Sequence, residues 1–185
     1  MPPMIGLVYF NEVLYMTVRE IMNVPEDILR KKAHKVNDFN KNFQTLVDDM
    51  VETLRAAPGV GLAAPQVNVS QRLIVVEYGD EEDEEAPKKL FVVANPEIIR
   101  ASDETVLGTE GCLSIPGFAG NVIRSTEVTV KGQNRHGKPI KIRAKGWLAR
   151  IFQHEIDHLD GILFTDRAQE VWKIEESPEK PIPVD

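Results

Sequence analysis

From Asn40 to Ala57 the apolar residues fall at Phe43, Leu46, Val47, Met50, Val51 and Leu54, the i, i+3, i+4, i+7 spacing of a helix that buries one face. Pro58 and Gly59 end it, since proline lacks an amide hydrogen and glycine tolerates the turn that follows. A Gly/Ala segment, Gly59-Val60-Gly61-Leu62-Ala63-Ala64-Pro65-Gln66, then leads to the β-branched run Arg72 to Tyr78. Leu90 to Ala94 reads as a strand, and Thr126 to Gln133 and Pro139 to Ala144 flank Asn134-Arg135-His136-Gly137 as the arms of a hairpin. The middle third is therefore predicted to be mainly sheet. A second helix is expected from about Trp147 to Leu159, with Gly161 placed to end it. Along it Trp147, Arg150, Ile151, His154, Glu155 and His158 share one side, while Phe152, Ile156 and Leu159 fill adjacent apolar directions. Polar groups on a helix that is otherwise apolar point to chemistry. The pattern predicts an α+β domain in which antiparallel and mixed β-sheets surround this central helix.

Composition narrows the function. A chain of 185 residues has room for one core, and no repeat or second domain is evident. The net charge is −7, yet the run Asp80 to Glu85 supplies six acids, leaving 22 basic against 23 acidic residues elsewhere. That near-neutral body offers no field for a phosphate backbone or an anionic membrane, so direct nucleic-acid binding and membrane association are not expected. The acidic run itself reads as a solvated loop. Cys112 is the single cysteine, which excludes an internal disulfide and fits a reducing compartment. No apolar stretch reaches the roughly 18 residues that a membrane span needs. Met1 to Met16 has no Lys or Arg and carries Glu12, unlike an export or transit signal, so a cytoplasmic location is expected.

The chemistry concentrates in His154-Glu155-Ile156-Asp157-His158. Imidazoles four residues apart lie about 6 Å apart along a helix axis, on one face, close enough to share one metal ion. Glu155 then stands beside that ion, where a carboxylate can take a proton from water and return it to a departing amine. A catalytic site of this type takes a third protein ligand. Phe164 stands where a metzincin needs histidine, which removes that branch. Glu170, Glu175 and Glu176 are the candidates for a thermolysin-like site, and Cys112 in Glu110-Gly111-Cys112-Leu113-Ser114 is the remaining soft donor. Gly59-x-Gly61-x-x-Ala64 satisfies a loose dinucleotide fingerprint, but it follows a helix and not a strand, so a nucleotide site is not expected.

Taken together and in this order, Gly59 to Gln66, Glu110 to Ser114 and Gln153 to His158 resemble the three motifs of the peptide deformylases. The resemblance runs from about Thr17 to Asp166, leaving residues 1–16 as an N-terminal extension expected to be poorly ordered and 167–185 as a tail, irregular from Glu175 with Pro178, Pro181 and Pro183. It implies a metal-dependent amide hydrolase that removes the formyl group from N-formylmethionyl peptides or nascent chains, releasing formate, in transient proximity to the ribosome. By the same resemblance Cys112, His154 and His158 hold one divalent ion, with Fe2+ the usual active metal and Zn2+, Ni2+ or Co2+ as alternatives. Glu155 is then general base and acid, and the Gln66 amide and the Leu113 backbone N–H donate to the developing oxyanion. Val60, Gly61, Glu110, Gly111, Trp147 and Ile151 are expected to bind the substrate.

Some positions depart from the family pattern. Ala119 stands where some relatives have a basic residue, Thr109 where many have a second glutamate, and Arg150 where the pocket is usually apolar. Arg124 fits the pattern and is expected to pair with Asp157. His34 and His136 lie outside the motifs and are expected on the surface. Two other functional classes remain open on the residues alone: a thermolysin-like zinc endopeptidase, and a noncatalytic metal-binding module.

Overall fold

A computed structural model describes residues 17–79 and 87–174. The acidic run, the first sixteen residues and the proline-bearing tail lie outside these, and so do the expectations attached to them. In chain order the elements are α1 (Lys41–Ala56), β1 (Gly61–Ala63), β2 (Leu73–Tyr78), β3 (Lys89–Ala101), β4 (Thr105–Gly111), β5 (Phe118–Ser125), β6 (Glu127–Gln133), β7 (Pro139–Lys145), α2 (Gly146–Leu159), α3 (Phe164–Arg167) and β8 (Glu170–Lys173). Five strands form one sheet in the order β1-β2-β3-β6-β7 and three form another in the order β4-β5-β8. Every named pair is antiparallel. The mixed component expected from the sequence reduces, among the described residues, to one parallel bridge between His34 and Gln71.

The strand alternation explains how two helices share one sheet. Leu73 and Val75 of β2 point into a cluster with Phe43, Leu46, Val47, Met50 and Leu54 of α1. Ile74 and Val76 point the other way, into a cluster with Ile151, Phe152, Ile156 and Leu159 of α2. A strand covered on both faces reads as a continuous apolar run, as Leu73 to Val76 does. The α1 residues picked out by periodicity are all buried, and Asn40 caps that helix by accepting from the Phe43 amide at 3.1 Å. No helix among the described residues is long and apolar enough to cross a membrane.

Three features differ from the sequence reading. β3 continues past Ala94 to Ala101 through a register shift, with Asn95 in the left-handed region at φ 52°; Asn-Pro at 95–96 masks a strand that bulges and resumes. The β4–β5 pair is rich in glycine and polar residues and so carries no apolar alternation. Beyond residue 166, where the sequence reading ends the catalytic body, Glu170–Lys173 adds β8 to the edge of β5.

At the end of α2 the Gly161 amide reaches the His158 carbonyl at 3.2 Å and the Ile162 amide the Asp157 carbonyl at 3.0 Å, the paired bonds of a Schellman stop. Gly161 has φ +75°, and a Cβ there would lie 2.5 Å from the Arg30 carbonyl oxygen. Gly161→Ala is therefore expected to destabilise the fold by about 1–3 kcal/mol; a urea midpoint equal to that of the unsubstituted chain would contradict it.

Candidate active site

Cys112 sits in the turn just past β4, closed by a hydrogen bond from the Ile115 amide to the Cys112 carbonyl at 2.9 Å. His154 and His158 project from α2 with ring centroids 4.9 Å apart. One ligand atom from each of these three residues lies within 4.8 Å of the others, and Cys112 Sγ is 3.3 Å from His158 Nε2. Thiolate and imidazole donors around one tetrahedral ion stand about 3.4–3.6 Å apart, so the set fits a divalent cation. Burial alone would raise the Cys112 thiol, but the neighbouring imidazoles outweigh it and bring the thiol down to about 5, toward the thiolate that a metal needs. Glu170 lies on β8 with its backbone register opposite Asn121 and is not part of this group, which weighs against the thermolysin-like ligand set; Glu175 and Glu176 lie outside the described residues.

Behind the ligands is a buried charge network that the sequence reading recognised only in part. Arg124 grips Glu110 with Nε on Oε1 at 2.9 Å and Nη2 on Oε2 at 3.0 Å, and its Nη1 reaches Asp157 at 2.6 Å. The Arg124–Asp157 pair expected from the sequence is present. Glu110, expected to contact substrate, borders the pocket, and its carboxylate is held by Arg124, Arg150 and His154. Although burial pushes Glu110 up, the bonds from His154 and Arg124 hold it well below the usual carboxylate range. Its Oε2 lies 3.0 Å from His154 Nδ1, which turns that ring so that Nε2 is left for a cation. Arg150 and Arg167 were missed as members of the network: nothing local to their motif indicates partners on β4 or within the helix end.

Glu155 is 4% exposed, and its Oε2 has no hydrogen-bond partner among the described residues. Burial pushes its carboxyl up to about 7 against the pull of the two imidazoles, a value suited to taking and giving a proton near neutrality. Gly61 is required beside it, because a Cβ there would fall 2.8 Å from Glu155 Cδ. The Gln66 side chain is oriented by the Ala63 amide donating to Oε1 at 2.8 Å, which turns its NH2 toward Ser114 Oγ at 3.1 Å and Cys112 Sγ at 3.7 Å. The segment before α1 braces both loops: the Met22 amide donates to the Gln66 carbonyl at 2.7 Å and the Val24 amide to the Ser114 carbonyl at 3.0 Å.

A pocket opens beside these groups. Val60, Gly61, Glu110, Gly111, Leu113, Trp147 and Ile151 all border it together with Cys112, His154 and Glu155; Pro58, Gly59 and Arg150 join them. Gln66 and His158 are not among the residues that border it, although the Gln66 NH2 lies against Cys112, which does. Ile151 is also part of the core, so the structural and the substrate-facing readings of it coexist. Ala119 is 6% exposed and sits between Gly111 and Trp172 in the small sheet, while Thr109 donates to Asn121 Oδ1 at 3.1 Å. His34 and His136 are exposed and apart from the cluster.

An HExxH helix meeting a cysteine just past the edge strand of a second sheet, with a pocket alongside, is the arrangement of a metal-dependent amide hydrolase. The polypeptide deformylase family model matches residues 18–173, and the chain belongs to that family. Over 165 residues it is 52% identical to a peptide deformylase of Symbiobacterium thermophilum, covering 89% of this chain and 73% of the relative. It is 51% identical over 152 residues to one from Halothermothrix orenii, covering 82% and 94% of the two chains. Among solved structures, the Met-Ala-Ser-bound peptide deformylase of Acinetobacter baumannii superposes with a TM-score of 0.76 at 39% identity over 83% of this chain and 99% of that one. The actinonin complex of the Ehrlichia chaffeensis enzyme gives 0.78 at 38% identity over 84% and 91%.

Proposed function

We propose that this peptide deformylase binds one ferrous ion through Cys112, His154 and His158 and hydrolyses the N-terminal formamide of nascent formylmethionyl chains in the cytoplasm, close to the ribosome. The observation that carries the reading is the convergence of one thiol and two imidazoles on a single point beside a buried carboxylate whose Oε2 has no hydrogen-bond partner among the described residues. A bound divalent ion supplies Lewis acidity, ionising water near neutral pH and polarising a carbonyl oxygen.

The chain's residues do the rest. β1 and β4 end the strand orders of their sheets, and Gly61 of the one and Glu110 and Gly111 of the other border the pocket, so an extended peptide lies along these edges. Val60, Trp147 and Ile151 give the methionine side chain an apolar wall, and Gly61 and Gly111 let the peptide backbone approach. Glu155 Oε2 takes the proton of the attacking water and later delivers it to the departing peptide amine. The Gln66 NH2 and the Leu113 amide donate to the oxygen that gains charge, at fixed positions and without reorganisation. Glu110 keeps His154 in the tautomer with hydrogen on Nδ1.

The Met-Ala-Ser peptide held by the Acinetobacter relative suggests the assay: formate release from formyl-Met-Ala-Ser, paired with metal analysis of chain purified with and without oxygen. Iron and high turnover are expected from the anaerobic preparation, and loss of turnover after exposure to air. Cys112→Ser is expected to lose most of its metal. Tight retention by that variant would favour an endopeptidase with another third ligand, and metal without formate release would favour a noncatalytic module.

A further inference from the structure

Arg150 lies one helical turn before His154 and is 3% exposed. A buried guanidinium needs partners for its donors, and this one, carried on α2, finds them on two strands, β4 and β5. Nη1 donates to Glu110 Oε1 at 2.8 Å and to the Val122 carbonyl of β5 at 2.9 Å; Nη2 donates to the Val106 carbonyl of β4 at 2.9 Å. The small sheet makes room for it, since a Cβ on Gly108 would lie 2.7 Å from Nη2. The guanidinium also stacks 5.3 Å from the centre of the Trp147 ring, in the pocket wall.

The division of bonds on Glu110 gives Arg150 a distinct task. Oε1 receives Arg124 Nε and Arg150 Nη1, while Oε2 receives Arg124 Nη2 and faces His154 Nδ1. Arg124 alone holds the carboxylate in one fork. Arg150 adds a third donor from another direction, so the carboxylate cannot tilt away from His154. Through Val106 it also pins the strand that continues through Glu110 and Gly111 into Cys112.

We infer that Arg150 is a positioning residue for deformylation: it struts helix α2 against β4 so that His154 and Cys112 meet at the spacing one cation requires. The inference deepens the deformylase reading above and rests on it.

The test is Arg150→Met, which keeps an unbranched apolar stem without the donors. Expected are a 10–100-fold fall in kcat for formyl-Met-Ala-Ser with KM within about twofold, and a roughly tenfold or greater loss of Co2+ affinity in competition with a chelator. The visible bands of the Co2+-loaded chain should shift as well. Arg150→Lys should recover part of both losses, because an ammonium reaches Glu110 or Val106 but does not span them as a planar fork does. Metal affinity and kcat within twofold of the unsubstituted chain would overturn the inference by reducing Arg150 to packing. A change confined to KM would overturn it by making Arg150 a pocket wall only. If Arg150→Met does not fold, Gly108→Ala displaces the same guanidinium without removing its charge; weaker Co2+ binding is expected, and unchanged binding overturns the inference. Absence of formate release by the unsubstituted chain would sink the deformylase reading, whereas the chelator competition judges Arg150 independently.

Discussion

Glu155→Ala should keep its metal and its fold while losing turnover by about 10²–10⁴-fold or more. The ligands are Cys112, His154 and His158, and none of their hydrogen bonds is made by Glu155, so removing the carboxylate leaves the donor set in place. The fold should not suffer either. Glu155 Oε2 is buried without a partner among the described residues, and an unsatisfied buried acid costs stability in the resting chain. Thermal denaturation of Glu155→Ala is thus expected at the same or a higher temperature, the signature of a group retained for chemistry at the expense of stability. Gly61 fits this picture, since its missing side chain is what allows the carboxylate to stand so near the β1 backbone. Formate release measured beside elemental analysis decides the matter. A variant with full metal and near-normal kcat would remove Glu155 from the mechanism, and one that loses its metal would make it structural.

The parts of this architecture that were legible in the sequence are those whose signal is local. The helical face from Phe43 to Leu54 repeats every three or four residues, and His154 and His158 are separated by one turn of the same helix, so spacing alone places them together. Cys112 is different: it joins the histidines only because β4 is packed near α2, and it was recognised through the order of three motifs and not through any pattern around itself. Arg150 and Arg167 carried no such signal. Periodicity puts Arg150 on the same side of α2 as His154, but its partner Glu110 is forty positions away in the chain, and helical spacing carries no information about a contact on another element. Glu110 borders the pocket together with the rest of its motif, while the two guanidinium groups that hold its carboxylate lie outside that motif and were not legible from it. β8 escaped because its four residues, Glu170 to Lys173, are too few to display an alternation of their own.

Arg124→Met should be the most destabilising single change in this network, by about 3 kcal/mol. Arg124 is 4% exposed and donates to both oxygens of Glu110 and to Asp157. Removing one partner of a buried ion pair ordinarily costs about 3–5 kcal/mol, because the remaining charge has lost its water as well as its counter-ion. The lower end applies here: Glu110 keeps Arg150 at 2.8 Å, and Asp157 keeps Arg167 through bonds of 2.6 and 2.7 Å. For a chain of this size that loss corresponds to a fall of roughly 6–12 °C in Tm. Arg167→Met is the informative control, since it removes a partner of the same Asp157 while its side chain is 44% exposed. Water reaches that guanidinium, so its ion pair is expected to contribute below about 1 kcal/mol. Denaturant unfolding of both variants under one set of conditions checks the argument. Equal losses would mean that burial does not govern the strength of these pairs, and the network would then be holding the site by geometry alone.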